Sequence, residues 1–227
     1  MTDIRQQIFD FELRPAIGGQ DFLVALSNQE AVKWLDNWPD WHVPALIIYG
    51  PPGCGKSHLV NVFMARSGAV PLTPALLQET GVPKLLESLV CCVVDDAEKG
   101  FDEEALLHLY NGLATIGGHI MMTATTAPSR WGIVLKDLES RLKSMPSVKI
   151  GLPDDRLLEA VLAKHFSDRQ LLVSADVVAY LLPRIERSMS VARQIVDKID
   201  RHSLSAGSKI TLPFVRQVLA MDFDNHC

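Results

Sequence analysis

The chain has 227 residues, of which 48% are hydrophobic and 22% are charged, and its formal net charge is -5. This composition excludes a disordered or fibrous protein, and the acidic balance excludes the globally basic field that dominates DNA binding. The four cysteines show no CxxC or metal-ligand spacing, and no segment has the length and apolarity of a signal peptide or a membrane span. We therefore expect a cytoplasmic protein with reduced thiols.

The first fifty residues predict an arm, a helix and a strand. Residues 1–20 are mixed in character and interrupted by proline and glycine, which favours an irregular arm. Ser27 and Glu30 have the spacing of a capping box, so Ser27 is the expected N-cap of a helix over 28–37. Residues 45–49 form a short, continuously apolar run of the kind found in buried parallel strands.

A complete P-loop follows this strand. The motif G-x-x-x-x-G-K-[ST] is matched by Gly50, Pro51, Pro52, Gly53, Cys54, Gly55, Lys56 and Ser57. Glycines allow backbone N–H groups to surround phosphate oxygens, the lysine reaches the β- and γ-phosphates, and the hydroxyl of Ser57 is offered to Mg²⁺. The helix that begins here directs its positive end at the anion. His58, the next residue of this helix, is also a candidate for cofactor binding, and packing is favoured over catalysis as the role of its side chain. The motif predicts binding of ATP or ADP.

Two further strands end in polar residues. Residues 89–94 are an apolar run that ends in Asp95 and Asp96, where we expect a strand beside the P-loop strand. Asp95 is then the candidate Walker-B ligand of Mg²⁺ and Asp96 the candidate acid that aligns an attacking water; an ordinary acidic exit from a strand is the alternative. After a helix at about 102–115, a third strand over 119–124 is followed by Thr125, whose hydroxyl is placed to sense the γ-phosphate or merely to start a turn.

The character of the chain changes near residue 153. Amphipathic helices are predicted over 154–167, 174–186, 189–204 and 211–220, with no strand between them. Alternation of strands and helices before this point predicts an α/β core with a parallel sheet flanked by helices. We expect three regions: an arm over 1–20, a nucleotide-binding core over 21–152 and a small all-helical domain over 153–227.

Two arginines are candidates for action on phosphate. Arg141 lies near the end of the α/β part, where its guanidinium would enter a neighbouring subunit's nucleotide site and stabilise charge on a transferring phosphoryl group. Arg193, near the start of a helix in the small domain, is placed to reach back over the phosphates and distinguish ATP from ADP. A solvated or ion-paired surface arginine is the alternative for each.

These motifs together resemble those of the AAA+ ATPases, and residues 21–32, the P-loop with its continuation His58-Leu59, and residues 94–98 are similar to the DnaA-related branch of bacterial replication initiators. The resemblance covers roughly residues 20–220 and implies an AAA+ core with a helical lid. After the lid there is no room for the helix-turn-helix of the initiator, so no sequence-specific DNA binding is expected. The chain is most similar to the shorter regulators of the Hda kind.

That resemblance implies a set of partners. Regulators of this kind carry a sliding-clamp-binding peptide, for which Gln6, Phe9 and Phe11 are the candidates; a tail packed on its own domain is the alternative. The resemblance implies that Arg141 acts as an arginine finger on the DnaA initiator, with Met145 standing where the initiator has a second arginine. Because such fingers act between subunits, a homodimer is also compatible with the sequence.

The expected function is stimulation of ATP hydrolysis by DnaA on the sliding clamp, the beta subunit of DNA polymerase III. This chain would hold ADP, with at most weak ATPase activity of its own, because Thr125 replaces the acid or amide that the family usually has at this strand tip. An ATPase that loads a replicative helicase and a nucleotide-gated adaptor without catalysis are the alternatives.

Overall fold

The computed structural model describes residues 13–15 and 21–223. Its strands are β1 (Leu13–Pro15), β2 (Asp21–Leu23), β3 (Ala45–Tyr49), β4 (Val70–Leu72), β5 (Cys91–Val94), β6 (His119–Ala124) and β7 (Ser147–Lys149). Its α-helices are α1 (Gln29–Asp36), α2 (Lys56–Ser67), α3 (Pro74–Thr80), α4 (Val82–Leu86), α5 (Glu103–Ile116), α6 (Lys136–Ser144), α7 (Asp155–Asp168), α8 (Ala175–Leu181), α9 (Met189–Ala206) and α10 (Leu212–Phe223). Short 3-10 turns occur at Pro128–Arg130 and Leu182–Arg184.

Five strands form a parallel sheet in the order β4-β5-β6-β3-β7. The central strands are buried on both faces, as their continuous apolar sequences predict. In β3, Ala45 and Ile47 belong to one apolar cluster and Leu46 and Ile48 to another, because successive side chains of a strand alternate between faces. The first cluster includes residues of α5 and the second includes residues of α2. The α/β sheet flanked by helices is thus confirmed.

The chain divides into two compact units between Leu152 and Pro153. The first, Pro15–Leu152, contains the five-stranded sheet. The described part of the second consists of residues 13–14 and 153–223. The range 153–223 is helical, and its core is formed by apolar residues of α7, α8, α9 and α10. These include Leu158, Leu162, Phe166, Val177, Leu181, Val196, Ile199, Val215 and Val218. None of the helices in the described ranges is both long and apolar enough to span a bilayer.

The N-terminal cap of α1 differs from the predicted one. Asn28, not Ser27, occupies the N-cap position. The Asn28 side chain is turned back along the chain, where it accepts a hydrogen bond from the N–H of Ala25 (2.8 Å) and donates one to the carbonyl of Leu23 (3.0 Å). The Ser27 carbonyl instead accepts a hydrogen bond from the N–H of Gly151 (3.1 Å). Asparagine competes well for such local backbone bonds, so the capping-box prediction was wrong.

The position of β5 also differs from the prediction. We expected the strand that ends in Asp95 beside the P-loop strand, but β6 lies between β5 and β3. With strands spaced by about 4.8 Å, β3 and β5 are separated by about 10 Å. The carboxyl ends of all three strands nevertheless lie at one edge of the sheet, because the strands are parallel. The tip of β6 therefore stands between the P-loop and the acidic pair.

Candidate nucleotide-binding site

The P-loop connects β3 to α2, and its backbone requires glycine at several positions. The N–H of Gly50 donates to the carbonyl of Ala124 at the end of β6 (3.1 Å). A Cβ at position 50 would lie 2.3 Å from the carbonyl oxygen of Ile150, so no larger residue fits there without moving the backbone. Gly53 and Gly55 have φ angles of 74° and 106°, which favour glycine strongly. The loop conformation thus depends on the glycines of the motif.

Lys56 is folded back onto the loop. Its side chain is 9% exposed, and its Nζ donates to the carbonyls of Gly50 (2.7 Å) and Pro51 (3.1 Å). Lys56 is also the first residue of α2, whose N-cap, Gly55, has no side chain with which to cap the helix. A buried ammonium and an uncapped helix start therefore lie together, and both favour an anion at this position.

The remaining P-loop residues divide into buried and accessible ones. Cys54 is buried against the loop, and burial raises the pKa of its thiol although the charge of Lys56 opposes this. Cys54 is therefore a neutral packing group. Pro52 and Ser57 are exposed, and His58 is half-buried. The N–H of His58 donates to the carbonyl of Gly55 (3.1 Å), as part of the first turn of α2.

The acidic pair after β5 is fixed by one buried threonine. The hydroxyl of Thr123, in β6, donates to Oδ1 of Asp95 and accepts a hydrogen bond from the N–H of Asp96 (3.1 Å). Thr123 is fully buried, whereas the Asp95 side chain is exposed. The Asp96 carboxylate forms an ion pair with Lys99 (3.1 Å), and this hydrogen bond raises the pKa of Lys99. Asp96 has a positive φ of 51°, which aspartate tolerates better than most residues.

Thr125 at the tip of β6 is bound by a glutamate from the loop after β5. Oε1 of Glu98 accepts hydrogen bonds from the N–H of Thr125 (2.7 Å) and from its hydroxyl (2.6 Å). The other oxygen, Oε2, is buried without a hydrogen-bond partner among the described residues. The Thr125 hydroxyl proton is thus already bound to Glu98. The carboxylate of Glu98 lies beside Thr125 at the end of β6, although the strand's own sequence supplies no acid there.

Arg141 lies on α6, in the same unit as the P-loop. Its side chain is exposed, its guanidinium carbon is 6.0 Å from the ring centre of Tyr110, and it forms no ion pair within the described ranges. Met145, at the C-terminal end of α6, is buried in the core. Arg141 is the one arginine of α6, so the exposed guanidinium on this helix is its own.

Arg193 belongs to the second unit and lies near the start of α9. Its side chain is 70% exposed, and its Nε is 3.9 Å from a carboxylate oxygen of Asp197, one turn further along the helix. The other oxygen of Asp197 is bound by Arg169. The ion pair of Arg193 is therefore long and shared, which leaves its guanidinium accessible. Gln6, Phe9 and Phe11 lie outside the described residues.

The residues at this edge of the sheet fit a nucleotide phosphate chain. The loop offers glycine backbone, a buried ammonium and a helix start, which together form a cradle for anionic oxygens. The Ser57 hydroxyl and the Asp95 carboxylate are oxygen ligands of the kind that Mg²⁺ prefers. The structure brings the P-loop, Asp95, Asp96 and Thr125 to one edge of the sheet, whereas Arg141 is on a separate helix and Arg193 is in the other unit.

Two residues of this network were not singled out from the sequence. Thr123 lies inside an apolar strand and gives no signal beyond being a polar residue in a buried run. Glu98 lies two residues after the acidic pair, where an acid on a loop is ordinary. Only the pairing of β5 with β6 shows that both residues contact the candidate site.

Comparison with known proteins agrees with this architecture. Residues 154–219 match the family model of the Hda lid domain. The chain is similar in structure to domain III of the replication initiation protein DnaA from Thermotoga maritima, with a TM-score of 0.75 and 17% identity over 88% of this chain and 93% of that one.

Two other solved structures show the same fold. DnaA from Aquifex aeolicus with bound AMPPCP has a TM-score of 0.66 and 19% identity, over 83% of this chain and 66% of that one. The Holliday junction branch migration motor RuvB from Thermotoga maritima has a TM-score of 0.66 and 15% identity, over 85% and 69% of the two chains. At these identities the likeness is one of fold, and the lid match gives the more specific relation.

Proposed function

We propose that this chain, which is a DnaA-related AAA+ protein close to Hda, holds a nucleotide at its P-loop and stimulates ATP hydrolysis by the DnaA initiator. In this proposal the chain holds ADP and Mg²⁺ through residues 50–58 and Asp95, and Arg193 reports the state of the phosphates. The DnaA of Aquifex aeolicus, which has a similar fold, has AMPPCP bound, and this supports a nucleotide as the ligand of the present chain. The nucleotide that is hydrolysed belongs to the partner.

The accessible guanidinium of Arg141 carries the proposal. It is exposed on α6, without an ion pair within the described ranges, although arginine at a protein surface commonly finds a carboxylate. In this proposal Arg141 enters the nucleotide site of DnaA. Its bidentate guanidinium stabilises the negative charge that builds on the γ-phosphoryl group as water attacks the phosphorus and the bond to ADP breaks. Supply of such an arginine accelerates hydrolysis by about 10³–10⁵-fold in related systems. That range is ample for a regulatory switch.

Docking on the sliding clamp would bring the two proteins together. We propose that Gln6, Phe9 and Phe11 lie in a groove on the beta subunit of DNA polymerase III, with the apolar side chains supplying most of the contact. Attachment to the DNA-loaded clamp would raise the local concentration of the regulator there. The net charge of -5 agrees with recruitment through a protein rather than by direct sequence-specific DNA binding.

The test is ATP hydrolysis by DnaA in the presence of DNA-loaded clamp and this protein. We expect Arg141→Ala to abolish the stimulation, while the thermal unfolding midpoint, ADP affinity and clamp binding stay as in the wild type. Lys143→Ala is the matched control, because Lys143 lies on the same helix and is paired with Glu139 at 2.7 Å. Undiminished hydrolysis with Arg141→Ala would overturn the catalytic role and leave an adaptor.

Clamp docking is tested by retention on immobilised clamp. We expect the triple variant Gln6→Ala, Phe9→Ala and Phe11→Ala to be lost from the clamp, with its ADP affinity unchanged. Equal retention of wild type and variant would remove the arm from the proposal. Because Arg141 is intact in this variant, it should still stimulate DnaA when added at high concentration without the clamp.

The acidic pair favours one alternative function. Thr123 holds the Asp95 carboxylate and the backbone N–H of Asp96, as an active ATPase would require of a metal ligand and its neighbour. A small AAA+ ATPase that loads a replicative helicase would use them to hydrolyse its own ATP. Rapid intrinsic turnover together with helicase binding and no clamp contact would favour that function, whereas slow turnover supports the regulator.

A further inference from the structure

The helix that carries Arg141 is capped by a side chain from another helix. The N-cap residue of α6 is Leu135, whose side chain cannot cap the helix. The carboxylate of Glu103, at the start of α5, instead accepts hydrogen bonds from the N–H of Val134 (3.1 Å to each oxygen) and of Leu135 (2.6 Å). Because the Glu103 carboxylate lies at the N-terminus of α6, its negative charge also interacts favourably with the dipole of that helix.

The same face of α5 contacts the other end of α6. Tyr110 comes seven residues after Glu103, which places both side chains on one side of the helix. The Tyr110 ring is buried in the same apolar cluster as Leu138 and Leu142 of α6. The Arg141 guanidinium carbon lies 6.0 Å from the centre of that ring, within the range of a cation–π contact. The Arg141 side chain is exposed, but its guanidinium therefore contacts a ring that is itself fixed by burial.

We propose that Glu103 and Tyr110 are positioning residues for Arg141. This inference rests on the proposed function, in which the guanidinium must enter a partner's site. Apolar contacts of Leu138 and Leu142 hold α6 against the core, but the hydrophobic effect behind them is non-directional. The three hydrogen bonds to Glu103 are directional and fix the start of the helix, while the Tyr110 ring restricts the guanidinium.

The backbone part is tested by amide hydrogen exchange. In Glu103→Ala the N–H groups of Val134 and Leu135 lose a charged acceptor, so we expect their exchange to be about 10- to 100-fold faster. Val134 is 85% exposed, so solvent reaches its amide as soon as the bond opens. Glu104→Ala is the matched control, because Glu104 is the adjacent acid and makes none of these three bonds. Unchanged exchange of Val134 and Leu135 in Glu103→Ala would overturn the capping role.

The side-chain part is tested at Tyr110 with two variants. Tyr110→Phe keeps the ring, whereas Tyr110→Leu keeps an apolar side chain and removes the ring. We expect ¹⁵N relaxation of the Arg141 Nε to show greater mobility only in the leucine variant. The maximal stimulated rate should then fall about 2- to 5-fold, as expected for an exposed cation–π contact, with no change in the concentration for half-maximal effect.

The outcomes separate this inference from the proposed function. If Arg141→Ala leaves DnaA hydrolysis unchanged, the proposed function fails, but amide exchange and Nε relaxation still decide whether Glu103 and Tyr110 position the arginine. If Arg141→Ala abolishes stimulation and Tyr110→Leu leaves both the Nε mobility and the maximal rate unchanged, Tyr110 has no positioning role. A merely structural role of the ring would lower the unfolding midpoint without altering Nε mobility, and that result would also overturn the proposal.

Discussion

Replacement of Thr123 by valine should separate metal binding from nucleotide binding. The substitution keeps the volume of the side chain but removes the hydroxyl that bonds both Asp95 and the N–H of Asp96. Thr123 is fully buried, so no water can take the place of this hydroxyl directly. The Asp95 carboxylate, which is exposed, would then be free to rotate away from its present position.

The expected losses of stability and of Mg²⁺ affinity in Thr123→Val follow from the two hydrogen bonds that the substitution removes. An N–H left without an acceptor costs about 1–3 kcal/mol, and the exposed Asp95 carboxylate adds little because water solvates it. For a chain of this length we expect the unfolding midpoint to fall by about 3–10 °C. Loss of a hydrogen bond to a metal ligand typically costs about 10–100-fold in metal affinity. We therefore expect Mg²⁺ to strengthen ADP binding much less in Thr123→Val than in the wild type.

Titration calorimetry with ADP, in Mg²⁺ and in EDTA, is the assay. Thr123→Ser is the matched control, because it retains the hydroxyl and should preserve the effect of Mg²⁺. Affinity in EDTA should be the same for all three proteins, since the P-loop contacts remain. An equal effect of Mg²⁺ in Thr123→Val and the wild type would refute the reasoning that this hydroxyl orients Asp95.

Two further predictions concern the two ends of β6. Glu98→Ala removes the acceptor of both Thr125 hydrogen bonds, so the free energy of unfolding in urea should fall by about 1.5–3 kcal/mol; an unchanged urea midpoint would contradict this. At the other end, burial lowers the pKa of His119, which packs edge-on to Trp38 and Trp41. The unfolded chain then takes up the proton first, so stability is complete above about pH 6.5 and falls as the pH drops toward the lower folded pKa. His119→Phe should reduce the difference between urea midpoints at pH 7.5 and 5.5, and an equal difference would contradict the assignment.

The central strands of the fold could be predicted from the sequence because they are continuous apolar runs with clear boundaries. The predicted residues 45–49 and 119–124 agree with β3 and β6 at both ends. The strands β4 and β7 have only three residues each, which is too short for a pattern to emerge. Helix α8 ends at Leu181, earlier than predicted, because Pro183 interrupts it and a 3-10 turn follows.

The candidate site was predictable where chemistry is contained in a local motif. Gly50 to Ser57 are consecutive, and their spacing alone indicates phosphate binding. The partners of Asp95 and Thr125 were not predictable, because Thr123 and Glu98 reach them only through the pairing of β5 with β6. The order of strands in a sheet is set by tertiary packing, which the local pattern does not encode. The roles of Arg141, Arg193 and the arm residues remain predictions.

The contacts of Lys56 change how substitution of the P-loop lysine, as a means of abolishing nucleotide binding, should be interpreted. Because its Nζ bonds the carbonyls of Gly50 and Pro51, phosphate oxygens must compete with the loop's own oxygens for the same ammonium. Replacing Lys56 would therefore alter the nucleotide-free protein as well as the bound one, by removing an internal tie across the loop. A Lys56 variant is consequently a poor negative control for nucleotide binding. If such a variant no longer bound a partner protein, the cause could be a loosened P-loop and not the absence of nucleotide. Gly50→Ala would also disturb the nucleotide-free loop, whereas Ser57→Ala leaves both hydrogen bonds of the Lys56 Nζ intact.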